Sequence, residues 1–177
     1  MNGLASFGDD LRMSRKVGTL TGKEIIKRFL PDCIRVEECA RRDDRNGIDF
    51  LAVIAEDVAF KIDQKTRRGG AAQFWKNGIP EIALELWSDR ERKVPGWTKD
   101  YTKQTDYILQ TYDPSDWVYA YLLPFQLLRM GFAEQEQRWT RLYKTAIQSN
   151  HGWQSECVFV PINVVMRECR RQMVREP

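Results

Sequence analysis

The sequence contains one histidine, His151, and no long apolar run among its 177 residues. A membrane-spanning helix needs roughly 18 or more consecutive apolar residues, and the segment Met1 to Asp10 lacks the charged, apolar and small-residue order of a signal peptide. We therefore expect a cytoplasmic protein with no membrane partner. With a single histidine, any catalytic chemistry has to rest on carboxylates, lysine, tyrosine or a metal ion held by oxygen atoms.

Cysteine is also scarce. The four cysteines are Cys33, Cys39, Cys157 and Cys169, and they include no CxxC pair. Zinc sites and iron–sulfur clusters usually begin with such a closely spaced thiolate pair. The spacing therefore favours buried, reduced thiols over a metal centre built on sulfur.

The charge is nearly balanced, with 28 Lys and Arg against 25 Asp and Glu and a formal net charge of +3. This small excess favours anionic partners without identifying one. A hydrophobic content of 42%, with 11 Gly and 7 Pro, argues against disorder and collagen-like repeats. At this length we expect one domain over residues 1–177, with a core over about 21–160 and a basic C-terminal helix over 161–177.

The spacing of apolar residues predicts the order of the elements. Thr21 and Glu24 match a capping box at the start of a helix that ends at Pro31. Alternation predicts a β-hairpin over 48–65. Further strands are predicted at 82–87, 106–109, 117–122 and 156–160, a long helix from Pro124, and a terminal helix after Pro161. This order predicts an α/β fold with a central mixed sheet flanked by helices.

The apolar face of the hairpin sets its register. Aligning that face pairs Phe50 with Ile62, Ala52 with Phe60 and Ile54 with Val58, and leaves a three-residue loop from Ala55 to Asp57. On the other face Asp49 then lies opposite Asp63, about 5 Å away, with Lys65 two residues further on. A two-residue loop would send the carboxylates to opposite faces, but it would also place apolar residues opposite charged ones.

Two opposed carboxylates repel each other unless a cation lies between them. Mg²⁺ takes such oxygen ligands and completes its shell with water and substrate phosphate, and Mn²⁺ can substitute. The ammonium group of Lys65 could orient a metal-bound water or stabilise charge that grows on a phosphoryl group. The alternative is a solvated hairpin face in which Asp63 and Lys65 form an ion pair.

Asp49, followed on the next strand by Asp63-Gln64-Lys65, resembles the signature of the PD-(D/E)xK nuclease superfamily. In that signature an Asp on one strand and an acid-x-Lys on the next bind metal and activate water. Ile48 stands where the signature has proline, and the second acid is Asp63 rather than the commoner Glu. The resemblance covers about 21–87.

The resemblance implies a restriction-endonuclease-like core of helix, β-hairpin, strand, helix and strand, with the strand at 82–87 in the same sheet. It gives Glu24 the place of the helical Glu that several members add to the site. Independently, Glu81 and Glu85 share one face of that third strand. Glu85 lies deeper in the strand and is the preferred further metal ligand; the alternative for both is an outward polar position.

Basic and aromatic side chains near these acids are candidate contacts for DNA. They are Arg67 and Arg68 after the motif, Lys93 and Trp97 in a basic loop, and Arg170 and Arg171 in the terminal helix. The alternatives are a solvated loop and the outer face of a closing helix.

Together these features predict a Mg²⁺-dependent endonuclease that hydrolyses DNA phosphodiester bonds with two carboxylates and a lysine, in recombination, replication or repair, as a junction resolvase does. The alternative is a non-catalytic nucleic-acid-binding protein that keeps the nuclease fold. A homodimer is compatible with the sequence.

Overall fold

The structure is a computed structural model, and it describes residues 22–39, 46–67, 75–76, 78–112, 120–150 and 152–174. Over these residues the protein is a mixed α/β fold with two sheets and three helices. In chain order the elements are α1 (22–29), β1 (Arg35–Glu38), β2 (Phe50–Ala55), β3 (Val58–Arg67), β4 (Trp75–Lys76), β5 (Ile79–Asp89), β6 (Val94–Pro95), β7 (Tyr107–Tyr112), β8 (Tyr121–Pro124), α2 (Phe125–Leu142), β9 (Thr145–Asn150), β10 (Trp153–Pro161) and α3 (Ile162–Val174).

The helix α1 forms where the apolar spacing predicts it. Ile25 and Ile26 are 4% and 0% exposed and pack with Phe50, Ile62 and Leu109 in one core cluster. These strand residues share one face of the first sheet, so α1 covers that face. The capping residue Thr21 lies outside the described residues.

The hairpin of β2 and β3 has the predicted register along its body. Phe50 pairs with Ile62 and Ala52 with Phe60. The predicted three-residue loop is wrong, because Ala55 pairs with Val58 and a register shift falls between Val53 and Ala55. A β-bulge therefore absorbs the extra residue, which lets a two-residue turn close the hairpin without moving the carboxylates to the other face.

The first sheet has the strand order β1-β2-β3-β7-β8. The strands β3 and β7 are parallel, whereas β2 and β8 run antiparallel to their neighbours. A parallel pair needs a long connection, and here the chain between β3 and β7 passes through the second sheet before it returns. Of the strand predicted at 117–122, the described residues form a strand at Tyr121–Pro124, which ends two residues later than predicted; residues 113–119 lie outside the described part.

The second sheet has the order β4-β5-β10-β9, with β6 paired to the side of β5. The prediction of one central sheet that includes residues 82–87 is therefore wrong. Those residues form part of β5, which pairs with β10, while the open edge of β3 is satisfied by β7. The two sheets contact each other through side chains: Arg67 and Tyr112 of the first sheet both donate hydrogen bonds to the Glu81 carbonyl of the second.

The helices α2 and α3 pack with the second sheet in the larger core cluster. Its buried residues include Leu84, Phe132, Val158, Val165 and Cys169. Since side chains alternate along a strand, the face of β5 that carries Leu84 is opposite to the face that carries Glu85. Across the described part of the chain, no helix is both long enough and apolar enough to cross a membrane.

The loop after β6 lies directly against the backbone of β5. A Cβ atom at Gly96 would overlap the Glu85 carbonyl group. We expect Gly96→Ala to lower the free energy of unfolding by about 3 kcal/mol, since a rigid backbone cannot move aside. Gly78, at φ +75 with open space around it, is the control, and Gly78→Ala should cost about 1 kcal/mol of backbone strain. Urea unfolding measures both values, and equal losses would contradict this close approach.

Candidate active site

Asp49 lies just before β2, where the ladder between β2 and β3 ends. Its backbone N–H donates to the Ile62 carbonyl at 2.9 Å. Its Oδ2 atom accepts a hydrogen bond from the Gln64 N–H at 2.7 Å. The carboxyl group thus bonds the Gln64 N–H beyond the end of the ladder with β2, while Gln64 pairs with Leu109 of β7 on its other side. This bond holds the Asp49 side chain beside β3.

Asp63 and Lys65 project from the same face of β3 because they are two residues apart. Asp63 is 4% exposed, and the Lys65 ammonium donates to its Oδ1 atom at 2.7 Å. Asp49 lies close enough to Asp63 for the charge of Asp63 to raise its pKa. The structure therefore brings together the three residues of the predicted motif.

Glu85 reaches the same cluster from the second sheet. Its charge raises the pKa of Lys65, and the charge of Asp63 raises the pKa of Glu85. Its Oε2 atom accepts the backbone N–H of Trp97 at 3.1 Å, and its carbonyl accepts the hydroxyl of Thr98. The loop after β6 thus fixes both the backbone and the side chain of Glu85.

Trp97 closes one side of the site rather than standing in solvent. Its ring is partly buried, lies 6.1 Å from the Phe125 ring, and packs against the larger core cluster. The Lys65 ammonium lies 5.8 Å from its ring centroid, within cation–π range. The nucleic-acid contact that the sequence predicted for Trp97 stays a prediction; a tryptophan among basic residues gave no signal of this packing.

Burial and nearby charges shift the pKa values of Asp49, Glu85 and Lys65. Burial, and then the neighbouring Asp63, raise the pKa of Asp49 to about 7. Burial likewise raises the pKa of Glu85, although the Trp97 N–H and Lys65 oppose it. Burial alone would lower the pKa of Lys65, but Asp63 and the other two acids outweigh burial and raise it. At neutral pH the lysine is charged, and Asp49 is near its midpoint.

The donor set is suited to a hard divalent cation. Within the described ranges, no group of three or more His, Cys, Asp and Glu side chains has the arrangement of a metal site. Mg²⁺ needs only one or two carboxylates, because water and phosphate complete its shell. Asp49 and Asp63 form such a pair, and their mutual repulsion is the penalty that a cation would remove.

The other predicted site residues lie in different surroundings. Glu24 is exposed on α1, which packs on the opposite face of the first sheet from Asp63. Arg170 is exposed and Arg171 is bonded to Glu168 on α3. That helix packs on the Leu84 face of the second sheet. The structure therefore does not bring Glu24 or these two arginines to the acid cluster.

The remaining basic candidates are closer in sequence to the acids. Arg67 continues the face of Asp63 and Lys65, and its guanidinium lies 4.5 Å from the Phe159 ring centroid. Lys93 is exposed in the turn between β5 and β6, at φ +53. Arg68 lies outside the described residues.

Lys103 is a site neighbour that the sequence did not single out. Its charge acts on Glu85, and its side chain lies near Gly47, which in turn adjoins Asp63. The only sequence signal was its membership of the mixed-charge segment before β7, which does not distinguish it from Lys99.

Comparison of the chain with protein-family models, with curated proteins and with solved structures finds no match. What the site can do is therefore argued from its own chemistry. It combines a carboxylate pair, a third acid and a charged lysine at the contact of two sheets, an arrangement able to hold a divalent cation beside an anionic group.

The raised pKa of Asp49 makes stability depend on pH. Between its ordinary value of 3.8 and about 7, the folded state keeps a proton that the unfolded state releases, so the free energy of unfolding falls as pH rises. Asp49→Asn removes this titration, and its stability relative to the wild type should rise across that window, by at most about 4 kcal/mol.

Urea unfolding at several pH values, without divalent cations, measures this difference. Asp57→Asn, in the exposed hairpin turn, is the control and should follow the wild-type profile. If the Asp49→Asn profile also runs parallel to the wild type, Asp49 is not held at a raised pKa.

Proposed function

We propose that the protein is a Mg²⁺-dependent endonuclease that hydrolyses phosphodiester bonds in DNA. The observation that carries this proposal is the cluster of Asp49, Asp63, Lys65 and Glu85. It joins an acidic pair, a third acid and a lysine from two different sheets. A role in recombination, replication or repair, as a junction resolvase, is the narrower form of the proposal.

Asp49 and Asp63 would hold the cation, with Glu85 as a further ligand and Mn²⁺ as a substitute metal. A bound divalent cation supplies a lowered water pKa and neutralises charge on the phosphate. The protein groups hold these partners in position: Gln64 orients the Asp49 carboxyl, and the Trp97 N–H orients Glu85. Lys65, charged and bonded to Asp63, is positioned to orient a water or stabilise the growing negative charge.

The order of the elements in and around the first sheet also supports the proposal. A helix precedes the hairpin that carries the motif, and the motif strand β3 is followed in the sheet by a parallel strand. This partly matches the helix, hairpin and strand order of the restriction-endonuclease-like core implied by the resemblance. The strands β4 to β6, which precede β7 and belong to the second sheet, are an addition to that order.

The second candidate is a nucleic-acid-binding protein that keeps the nuclease fold without turnover. The ion pair of Lys65 with Asp63 favours this second candidate, since the lysine can neutralise the carboxylate in place of a metal ion. The two candidates differ in cleavage: the binding protein would bind DNA in Mg²⁺ without cutting it.

Cleavage is tested with Mg²⁺ or Mn²⁺ against plasmid, linear, branched and single-stranded DNA. We expect Asp63→Asn and Lys65→Met to lower the rate by at least about 100-fold, because each removes a group that acts on the reacting phosphate. The matched controls are Asp57→Asn in the hairpin turn and Lys99→Met, whose ammonium is paired with Glu136 at 3.0 Å. Full activity of Asp63→Asn, or equal cleavage in EDTA, would rule out this mechanism.

Metal binding has a readout that does not need cleavage. Mg²⁺ should stabilise the wild type by about 2.7 kcal/mol at a concentration of 100 times its Kd, because it binds only the folded site. The stabilisation should be lost in Asp63→Asn and kept in Glu81→Gln, an acid on the same strand and face as Glu85. Thermal unfolding with EDTA and with Mg²⁺ measures it, and an equal response of both variants would place the cation elsewhere.

A further inference from the structure

Two hydrogen bonds dock the residues that follow Lys103 onto the turn before Asp49. Gln104 donates its backbone N–H to the Asn46 carbonyl at 2.9 Å. The Thr105 hydroxyl donates to the Gly47 carbonyl. These two bonds attach the residues after Lys103 to the turn that precedes Asp49, so the backbone of Lys103 is held beside the motif.

The side chain of Lys103 passes over a residue that has no side chain. Gly47 has φ +73, and a Cβ atom there would lie 2.9 Å from Lys103 Cδ and 3.4 Å from Asp63 Oδ2. Lys103 Cδ and Asp63 Oδ2 therefore both border the position that a side chain at residue 47 would fill. Lys65 is bonded to the other oxygen of Asp63, Oδ1, whereas the stem of Lys103 lies on the Gly47 side, where Oδ2 also lies.

Lys103 also acts on the acid from the second sheet. Burial raises the pKa of Glu85, and the charges of Lys65 and Lys103 both lower it. Lys103 therefore lies within electrostatic range of Glu85, one of the three acids that act on Lys65, although it comes from a different segment. Its side chain is partly exposed, so a ligand from solvent can reach it.

The sum of the formal charges in the site indicates a role for this second lysine. With a divalent cation present, the cation and one lysine only neutralise the three carboxylates Asp49, Asp63 and Glu85. The second lysine leaves one formal positive charge, which matches a phosphodiester group and the extra negative charge it gains when water attacks.

We propose that Lys103 is a second lysine of the acid cluster and a catalytic residue that contacts the scissile phosphate from the Oδ2 side of Asp63. This inference rests on the proposed nuclease function. It predicts that the charge of Lys103 is used by the substrate and not only by Glu85.

The test compares Lys103→Met with Lys99→Met. Both variants keep the aliphatic stem and lose one charge, but Lys99 lies 4.0 Å from the Trp87 ring centroid and is paired with Glu136. In single-turnover cleavage with Mg²⁺, Lys103→Met should be slower by about 100-fold, with Lys103→Arg partly restored and Lys99→Met close to the wild type. Wild-type rates in Lys103→Met would overturn the inference while leaving the nuclease function intact.

A second measurement does not depend on turnover. Inorganic phosphate is titrated into Mg²⁺-loaded protein and followed by tryptophan fluorescence; loss of a charged donor should weaken its binding about 10- to 100-fold in Lys103→Met and leave it unchanged in Lys99→Met. Equal phosphate affinity in the two variants overturns the inference, whether or not the wild type cleaves DNA.

A final comparison separates substrate contact from support of Glu85. If Lys103 only neutralised Glu85, adding Lys103→Met to Glu85→Gln would cause no further loss of phosphate affinity, and that result would also overturn the inference. A further loss in the double variant supports it, because the lysine then acts where the acid is no longer charged.

Discussion

The carboxyl group of Asp63 carries the constraint on which the arrangement of the site depends. A buried carboxylate is tolerated only when charged or hydrogen-bonding partners replace the water it has lost. Lys65 is bonded to one of its oxygens, whereas the neighbouring Asp49 repels it. Because Asp49 is itself buried, its pKa rises to about 7. A divalent cation would remove the repulsion between the two carboxylates, which is one cause of this raised pKa.

The long connection between β3 and β7 determines what surrounds this pair. A parallel neighbour cannot be reached by a tight turn, and the connecting chain forms much of the second sheet and the loop after it. Glu85, Trp97 and Lys103 all lie in this connection. Glu85 and Trp97 act on Lys65 of the motif, and Lys103 acts on Glu85. The pairing that satisfies the edge of β3 therefore also supplies the groups of the site that lie outside the motif.

The hairpin shows which features of the fold the sequence pattern could predict and which it could not. The alternation of Phe50, Ala52, Phe60 and Ile62 was sufficient to predict the register, because a slip of one residue would expose this apolar face. The closing turn was mispredicted because a β-bulge decouples loop length from register. The pattern at 82–87 likewise indicated a strand, yet alternation does not contain the identity of the partner strand, and β5 pairs with β10 in a different sheet.

The sequence by itself determined the local elements and the motif: a helix before a hairpin, and Asp63 and Lys65 on one face of β3, because these follow from residue spacing within a few positions. Only the tertiary structure decided that Glu85 joins this motif, that Glu24 lies on the other face, and that Lys103 passes over Gly47. Such contacts connect residues far apart in the chain. They depend on which strands pair and which faces are buried, and these result from the packing of the whole core rather than from any one segment.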